Sequence, residues 1–153
     1  MKVSLFFLSI IVLALWLADC TAPKSATAGS DPFAADRAKY MDRVKKDIAG
    51  QENVSADSVF LNVKVFKNLP AERFLGIMDR WGQALGVSCD HCHVKNEWAS
   101  EVKAPKEISR QMVGLTNRLN ADLKSIQAIK SDDPSVSCYT CHRGDITPAQ
   151  RAK

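Results

Sequence analysis

Long hydrophobic runs are missing from this chain. A membrane-spanning helix needs about 20 consecutive apolar residues, and the apolar stretch from Leu5 to Ala18 has only 14. Charge of one sign is not in large excess either. The 21 Lys and Arg residues stand against 17 Asp and Glu, a net charge of +4. No long basic run with interleaved aromatics accompanies it, so nucleic-acid binding has no footprint here. Seven glycines and six prolines in 153 residues are too few for a low-complexity chain. Histidine is scarcest of the chemically versatile residues: His91, His93 and His142 are the full set.

What is present fits one soluble globular domain preceded by an export signal. Apolar residues make up 46% and charged residues 25%. Met1-Lys2 is a minimal positive start, and Leu5 to Ala18 has the length of a signal-peptide core. The stretch ends in Leu17-Ala18-Asp19-Cys20, which resembles the lipobox of a bacterial lipoprotein. Asp19 departs from that pattern, where a small residue normally precedes the cysteine. Cleavage at Ala26-Thr27-Ala28 is the alternative. Either route takes the protein out of the cytoplasm. Cysteine counting agrees: of five cysteines, four form two C-x-x-C pairs and Cys20 is left over. Acylation of Cys20 accounts for an otherwise free exported thiol.

The sequence then divides into a signal at 1–19, a flexible tether at 20–35, a folded domain at 36–147 and a tail at 148–153. Ala, Ser, Thr, Gly and Pro dominate the tether. Ala34, Ala38, Met41, Val44 and Ile48 recur at helical spacing up to Gly50. Residues 59–66 are rich in β-branched and apolar side chains and predict a single extended segment. One strand cannot build a sheet, so the fold class remains mainly α. A second helix is expected from Pro70, with Phe74, Met78, Trp81 and Leu85 on its apolar face and Gly86 at its end. The third runs from Pro105 to about Ile129–Lys130, with Ile108, Met112, Leu115, Leu119, Leu123 and Ile126 in one stripe. Asp132-Asp133-Pro134 stops it.

Each of the last two helices leads into the same motif. Cys89-Asp90-His91-Cys92-His93 and Cys138-Tyr139-Thr140-Cys141-His142 are both C-x-x-C-H, the attachment pattern of haem c. Two thiols three positions apart reach the two vinyl groups of one haem, and the adjacent histidine coordinates the iron. The pattern therefore predicts two haems, held by Cys89 and Cys92 and by Cys138 and Cys141, with His93 and His142 on the irons. Zinc, local disulfides and a thioredoxin-like dithiol are the alternatives. Zinc ribbons space their pairs by roughly 15–20 residues, whereas 45 separate Cys92 from Cys138. A thioredoxin-like site wants a βαβ context, and disulfides would leave both trailing histidines unexplained.

A second axial ligand is also needed. His91 is trapped between two thioether cysteines and reads as a loop residue, so histidine is exhausted. Methionine is the usual other choice and raises the reduction potential. Met41 reads as core filler. Met78 and Met112 each lie on a helix leading into a motif, where ligand and core filler are both open readings. Trp81 and Trp98 are candidates to pack on haem faces, and Lys95 and Arg143 to pair with haem carboxylates.

Several segments together resemble the cytochrome c subunit of photosynthetic reaction centres. They are Asn62-Val63-Lys64-Val65, Leu69-Pro70-Ala71-Glu72-Arg73-Phe74 with Met78, and Ser109-Arg110-Gln111-Met112 with Thr116 and Asn120. Val136-Ser137-Cys138-Tyr139-Thr140-Cys141-His142-Arg143-Gly144 completes the set. The likeness covers roughly residues 58–147. It implies a methionine-bearing helix beside each haem, hence Met78 as ligand of the first and Met112 of the second. The familiar subunit has four haems in two such halves, and this chain has the length of one half. Where the family has a histidine on the helix after the Met112 position, Ile126 stands here.

The expectation is an exported, mainly α, two-haem c-type cytochrome, built of two helix-then-motif modules. It acts as an electron carrier rather than an enzyme and uses no small-molecule substrate. Its partners are redox proteins of a photosynthetic or respiratory chain, with Cys20 as a membrane anchor. The competing reading is a small haem enzyme, peroxidase or gas-binding, with one open iron.

Overall fold

A computed structural model describes residues 31–151. The signal, Cys20, the tether up to residue 30 and the last two residues lie outside them. Five α-helices follow in order: α1 (Ala34–Asp47), α2 (Ala56–Val59), α3 (Ala71–Leu85), α4 (Ala104–Ser125) and α5 (Cys138–His142). Cys89–His91 forms one turn of 3₁₀-helix between α3 and α4. No strand occurs among the described residues, in keeping with the mainly α class.

Helix α3 is the centre of the arrangement. It packs against α1, α2 and α5, and the 3₁₀ turn sits against α1 and α3. Its amphipathic period explains this: Ala71 and Leu75 join Ile48 in the buried core, and Met41, Val44, Val59 and Phe60 pack around them. Pro70 precedes the helix as its N-cap, one position earlier than the sequence suggests. Gly86 closes it in the left-handed conformation, φ +63, a geometry that glycine takes without steric cost.

One expectation fails. The segment 59–66 is not extended; α2 occupies its start and turns occupy the rest. Among the described residues no neighbouring strand accepts its ladder, and Asn62 and Phe66 take positive φ values of 65° and 57°. Helix α4 also ends earlier than expected, at Ser125 rather than near residue 130. The Ser125 hydroxyl donates to the Asp122 carbonyl, and Lys124 pairs with Asp133 at 2.9 Å, turning the following chain back.

Although it is the longest helix, α4 makes no extensive packing contact with any other helix. It is held at its ends instead. Near its start the Lys106 ammonium donates to the carbonyls of Trp98 and Ser100, both at 2.9 Å. Farther along, the Asn120 amide makes a two-way bond with the Val136 backbone, 3.1 and 2.7 Å. The predicted apolar stripe is consequently left bare. Ile108, Met112, Leu115, Leu119 and Ile126 are all exposed, a concentration of apolar surface that soluble proteins rarely leave uncovered.

Candidate haem sites

The first motif sits at the mouth of an apolar cleft that encloses about 1190 Å³ of unfilled space, part of it open to solvent. Met78, Cys89, Cys92 and His93 all line it. Phe74, Leu75, Trp81 and Leu85 of α3 supply one wall, at the helical period that also carries Met78. Cys89 and Cys92 are half-buried and form no disulfide. Burial pushes both thiols above their ordinary pKa, with the Cys92 sulfur 4.0 Å from the Ser109 hydroxyl.

His93 is oriented by its backbone surroundings. Its Nδ1–H donates to the Trp98 carbonyl at 3.1 Å, leaving Nε2 as the free ring nitrogen. Burial, aided by the nearby charges of Lys106, Arg110 and Lys103, lowers its pKa despite that bond. A neutral ring with one nitrogen tied and the other free is the form that binds iron. His142 repeats the arrangement: its Nδ1–H donates to the Asp145 carbonyl at 3.0 Å.

The second set is gathered less completely. A second cleft, about 910 Å³ and also partly open, lies between α3 and α4 and is lined by Trp81, Val113, Thr116, Cys138 and Tyr139 among others. Met112, Cys141 and His142 do not line it. Cys141 is exposed, and Met112, 36% exposed, lies on the bare stripe of α4.

Several residues stand in places that the sequence did not indicate. Met41 packs against the core, as expected, but also lines the first cleft, so that cleft contains two thioethers. Lys106 and Arg110 line the same cleft while largely withdrawn from solvent. Their i, i+4 spacing on one face of α4 was the available signal. Glu101 bridges them, 2.7 Å from Arg110 and 3.4 Å from Lys106. Lys95 and Arg143, the cations expected at haem carboxylates, line neither cleft. Lys95 instead pairs with Asp90 at 3.7 Å and lies over the Tyr40 ring. Trp98 lines the first cleft and meets His93 edge-on, ring centroids 5.6 Å apart.

Arg37 is the most buried cation, at 3% exposure. It donates to Asp31, to Asp79 of α3 and to the Val87 carbonyl, just ahead of the first motif. Beside it Asp36 accepts from Ser88. Helix α1 thus fixes the two residues that lead into Cys89.

No group of three or more His, Cys, Asp or Glu among the described residues is placed to hold a metal ion. The first site suits a covalently held macrocycle: two reduced thiols, an oriented imidazole and an apolar cleft. The match to known sequences is decisive. Residues 25–151 match the photosynthetic reaction centre cytochrome c subunit family. This chain belongs to that family. A member is a c-type cytochrome, a class whose haem is covalently attached.

The reaction centre cytochrome c subunit of Thermochromatium tepidum is 28% identical over 91% of this chain and 37% of its own length. That of Rubrivivax gelatinosus is 32% identical over 70% of this chain and 28% of its own. Cytochrome c-554 of Chloroflexus aurantiacus is 30% identical over 61% of this chain and 23% of its own. The chain therefore spans well under half the length of the curated relatives it matches.

Proposed function

We propose that this cytochrome carries two haem c groups outside the cytoplasm and passes single electrons between redox proteins, one of them a membrane complex of reaction-centre or respiratory type. The observation that carries the reading is the first cleft, where Met78, Cys89, Cys92 and His93 converge. Haem bound there supplies an iron that alternates between ferrous and ferric states.

The chain's own residues do the rest. Cys89 and Cys92 would hold the first haem by adding across its two vinyl double bonds, each sulfur bonding one vinyl carbon while its thiol hydrogen ends on the other, and Cys138 and Cys141 would do the same at the second site. The Trp98 carbonyl holds the His93 ring through Nδ1 and leaves Nε2 free to bind an iron, and the Asp145 carbonyl does so for His142. Met78 and Met112 would supply the other ligand of each iron, where their sulfur would favour the reduced state. Phe74, Leu75, Trp81 and Leu85 keep water from the first site. Lys106 and Arg110, which line the first cleft and pair with Glu101, would be the cations nearest the carboxylates of a haem held there, in place of Lys95 and Arg143. A haem held at the second motif with Met112 would cover part of the bare stripe of α4, on which Met112 lies.

A competing reading has one specific observation behind it. Met112 is exposed and not gathered with His142 in one cleft, as an open, ligand-binding second iron would require. Carbon monoxide decides between them, because a six-coordinate His/Met iron does not bind it and an open one does.

The covalent haem count of the purified, denatured chain tests the main reading. Two haems are expected, with Cys89→Ala and Cys92→Ala together removing one and Cys138→Ala and Cys141→Ala together removing the other. Protein that retains zinc and no covalent haem would sink it.

A further inference from the structure

The Trp98 carbonyl has two donors. His93 reaches it through Nδ1 at 3.1 Å, and the Lys106 ammonium reaches it at 2.9 Å. A carbonyl only accepts, so the first bond fixes the proton of His93 on Nδ1. The local fold brings Trp98 to this place. Val94 and Glu97 form an antiparallel bridge around Asn96, whose φ of 64° is left-handed. The tight turn returns the chain to the His93 ring. The Trp98 indole then meets His93 and Tyr40 of α1 edge-on, with ring centroids 5.6 and 5.7 Å away.

Lys106 is an unexpected side chain to find there. It lies in the first turn of α4 and is 9% exposed. A cation in the first turn opposes the helix dipole, and burying it is costly unless it is paired. Its partners offset that cost. They are the carbonyls of Trp98 and Ser100, both at 2.9 Å, and the Glu101 carboxylate at 3.4 Å. The second motif has no counterpart. The His142 Nδ1–H donates to the Asp145 carbonyl at 3.0 Å. Among the described residues no second donor reaches that carbonyl.

We propose that Lys106 is a positioning residue for the first haem, acting through the Trp98 carbonyl and His93 to raise its reduction potential. A carbonyl oxygen already polarised by an ammonium is a poorer acceptor for a second N–H. The bond from His93 is weakened, the ring keeps less anionic character, and Nε2 donates less strongly to an iron. Hydrogen bonding to the far nitrogen sets the basicity of a histidine ligand, and a less basic ligand favours the ferrous state. The inference rests on a haem at the first motif. It is distinct from any attraction between the Lys106 charge and haem carboxylates, because it changes the Nδ1–H bond itself.

The test reads the midpoint potentials of the holoprotein and the His93 Nδ1–H proton resonance of its ferrous form. Covalent haem is counted for every variant. The chain has three histidines, so isotopic labelling of histidine isolates the signal, and Met78→Ala identifies the first midpoint. Lys106→Leu should lower that midpoint and move the His93 resonance downfield, the direction of a stronger hydrogen bond. Lys106→Gln, a neutral donor, should do both to a smaller extent, and Lys106→Arg least of all. The second midpoint and the His142 resonance should stay in place. Lys64 lines the same cleft but pairs with Glu101 rather than Trp98, so Lys64→Gln should leave the His93 resonance unmoved. Should Lys106→Leu not take up haem, the order of the Gln and Arg variants decides the matter. A first midpoint that falls while the His93 resonance stays would overturn the route through the carbonyl and leave the haem reading intact. An equal movement of the resonance in Lys64→Gln would do the same. A parent protein without covalent haem at Cys89 and Cys92 would overturn both together.

Discussion

A thioether sulfur beside iron does one thing that an alkyl chain cannot: it stabilises the ferrous state. Met78→Ala should therefore lower one midpoint potential and open that iron to carbon monoxide while both haems stay attached. Met112→Ala should do the same at the other site. Met41 shares the first cleft with Met78 but also packs on the core of Ile48, Ala71 and Leu75. Met41→Ala should cost roughly 2 kcal/mol of stability, the low end for a truncated core methionine, with no carbon monoxide binding. The opposite pattern at the first site would move ligation from Met78 to Met41. Glu101 gives a pH signature in the same neighbourhood. Its carboxyl is held well below the ordinary carboxylate range, chiefly by Arg110, with Asn62 and Lys106 adding to the effect. A carboxylate depressed in the folded state contributes stability above its unfolded pKa and loses it as pH falls through the folded value. The urea midpoint of the holoprotein should thus decline as pH drops below about 4.5. Glu101→Gln should start lower and decline less steeply.

At the scale of elements, the last turn of α3 is where the two motifs are joined. Gly86→Ala combines a left-handed backbone with overlap at Gly144. The backbone penalty alone is about 1–2 kcal/mol, and relief of the overlap requires α5 to shift. Thermal unfolding of the holoprotein should reveal the loss, and the second haem site should be disturbed more than the first. The motifs and the helices that precede them were legible in the sequence because each is local. C-x-x-C-H spacing is set by the chemistry of one haem, and α1, α3 and α4 announce themselves through period. Segment 59–66 misled for the same local reason: β-branched residues suggest a strand, but strands need partners, and none lies alongside. The early end of α4 depends on Lys124 meeting Asp133, a contact between charges that composition does not rank. Arg37, Lys106 and Arg110 were equally hidden. On the page they are surface cations, and only the fold brings Arg37 to Val87 and the other two to the first cleft. The stand-off of α4 belongs here too, since an apolar stripe in sequence predicts burial without naming what does the burying.

For the whole molecule the open question is what keeps a carrier near its partners. No helix among the described residues is long and apolar enough to cross a membrane. Outside the described residues the sequence contains Cys20 at the end of a signal-like stretch, and we propose it as the point of attachment. Strong electrostatic attraction is a poor substitute: a formal charge of +4 is offset by the carboxylates of the haems, and such steering fades within a Debye length of about 8 Å at physiological salt. An acyl anchor acts differently. Acylated at Cys20, the domain would be confined to the membrane surface, raising its effective concentration at a membrane partner without any new contact. Cys20→Ala should accordingly release the protein into the soluble fraction with its haem count and both potentials unchanged. Electron delivery to the membrane partner should fall in the intact system, and should recover when the soluble variant is supplied in excess. A parent protein already wholly soluble would remove the anchor and favour cleavage near Ala28. A Cys20→Ala protein that stays with the membrane through a high-salt wash would place the attachment in the folded domain, where the bare stripe of α4 is the surface to probe next.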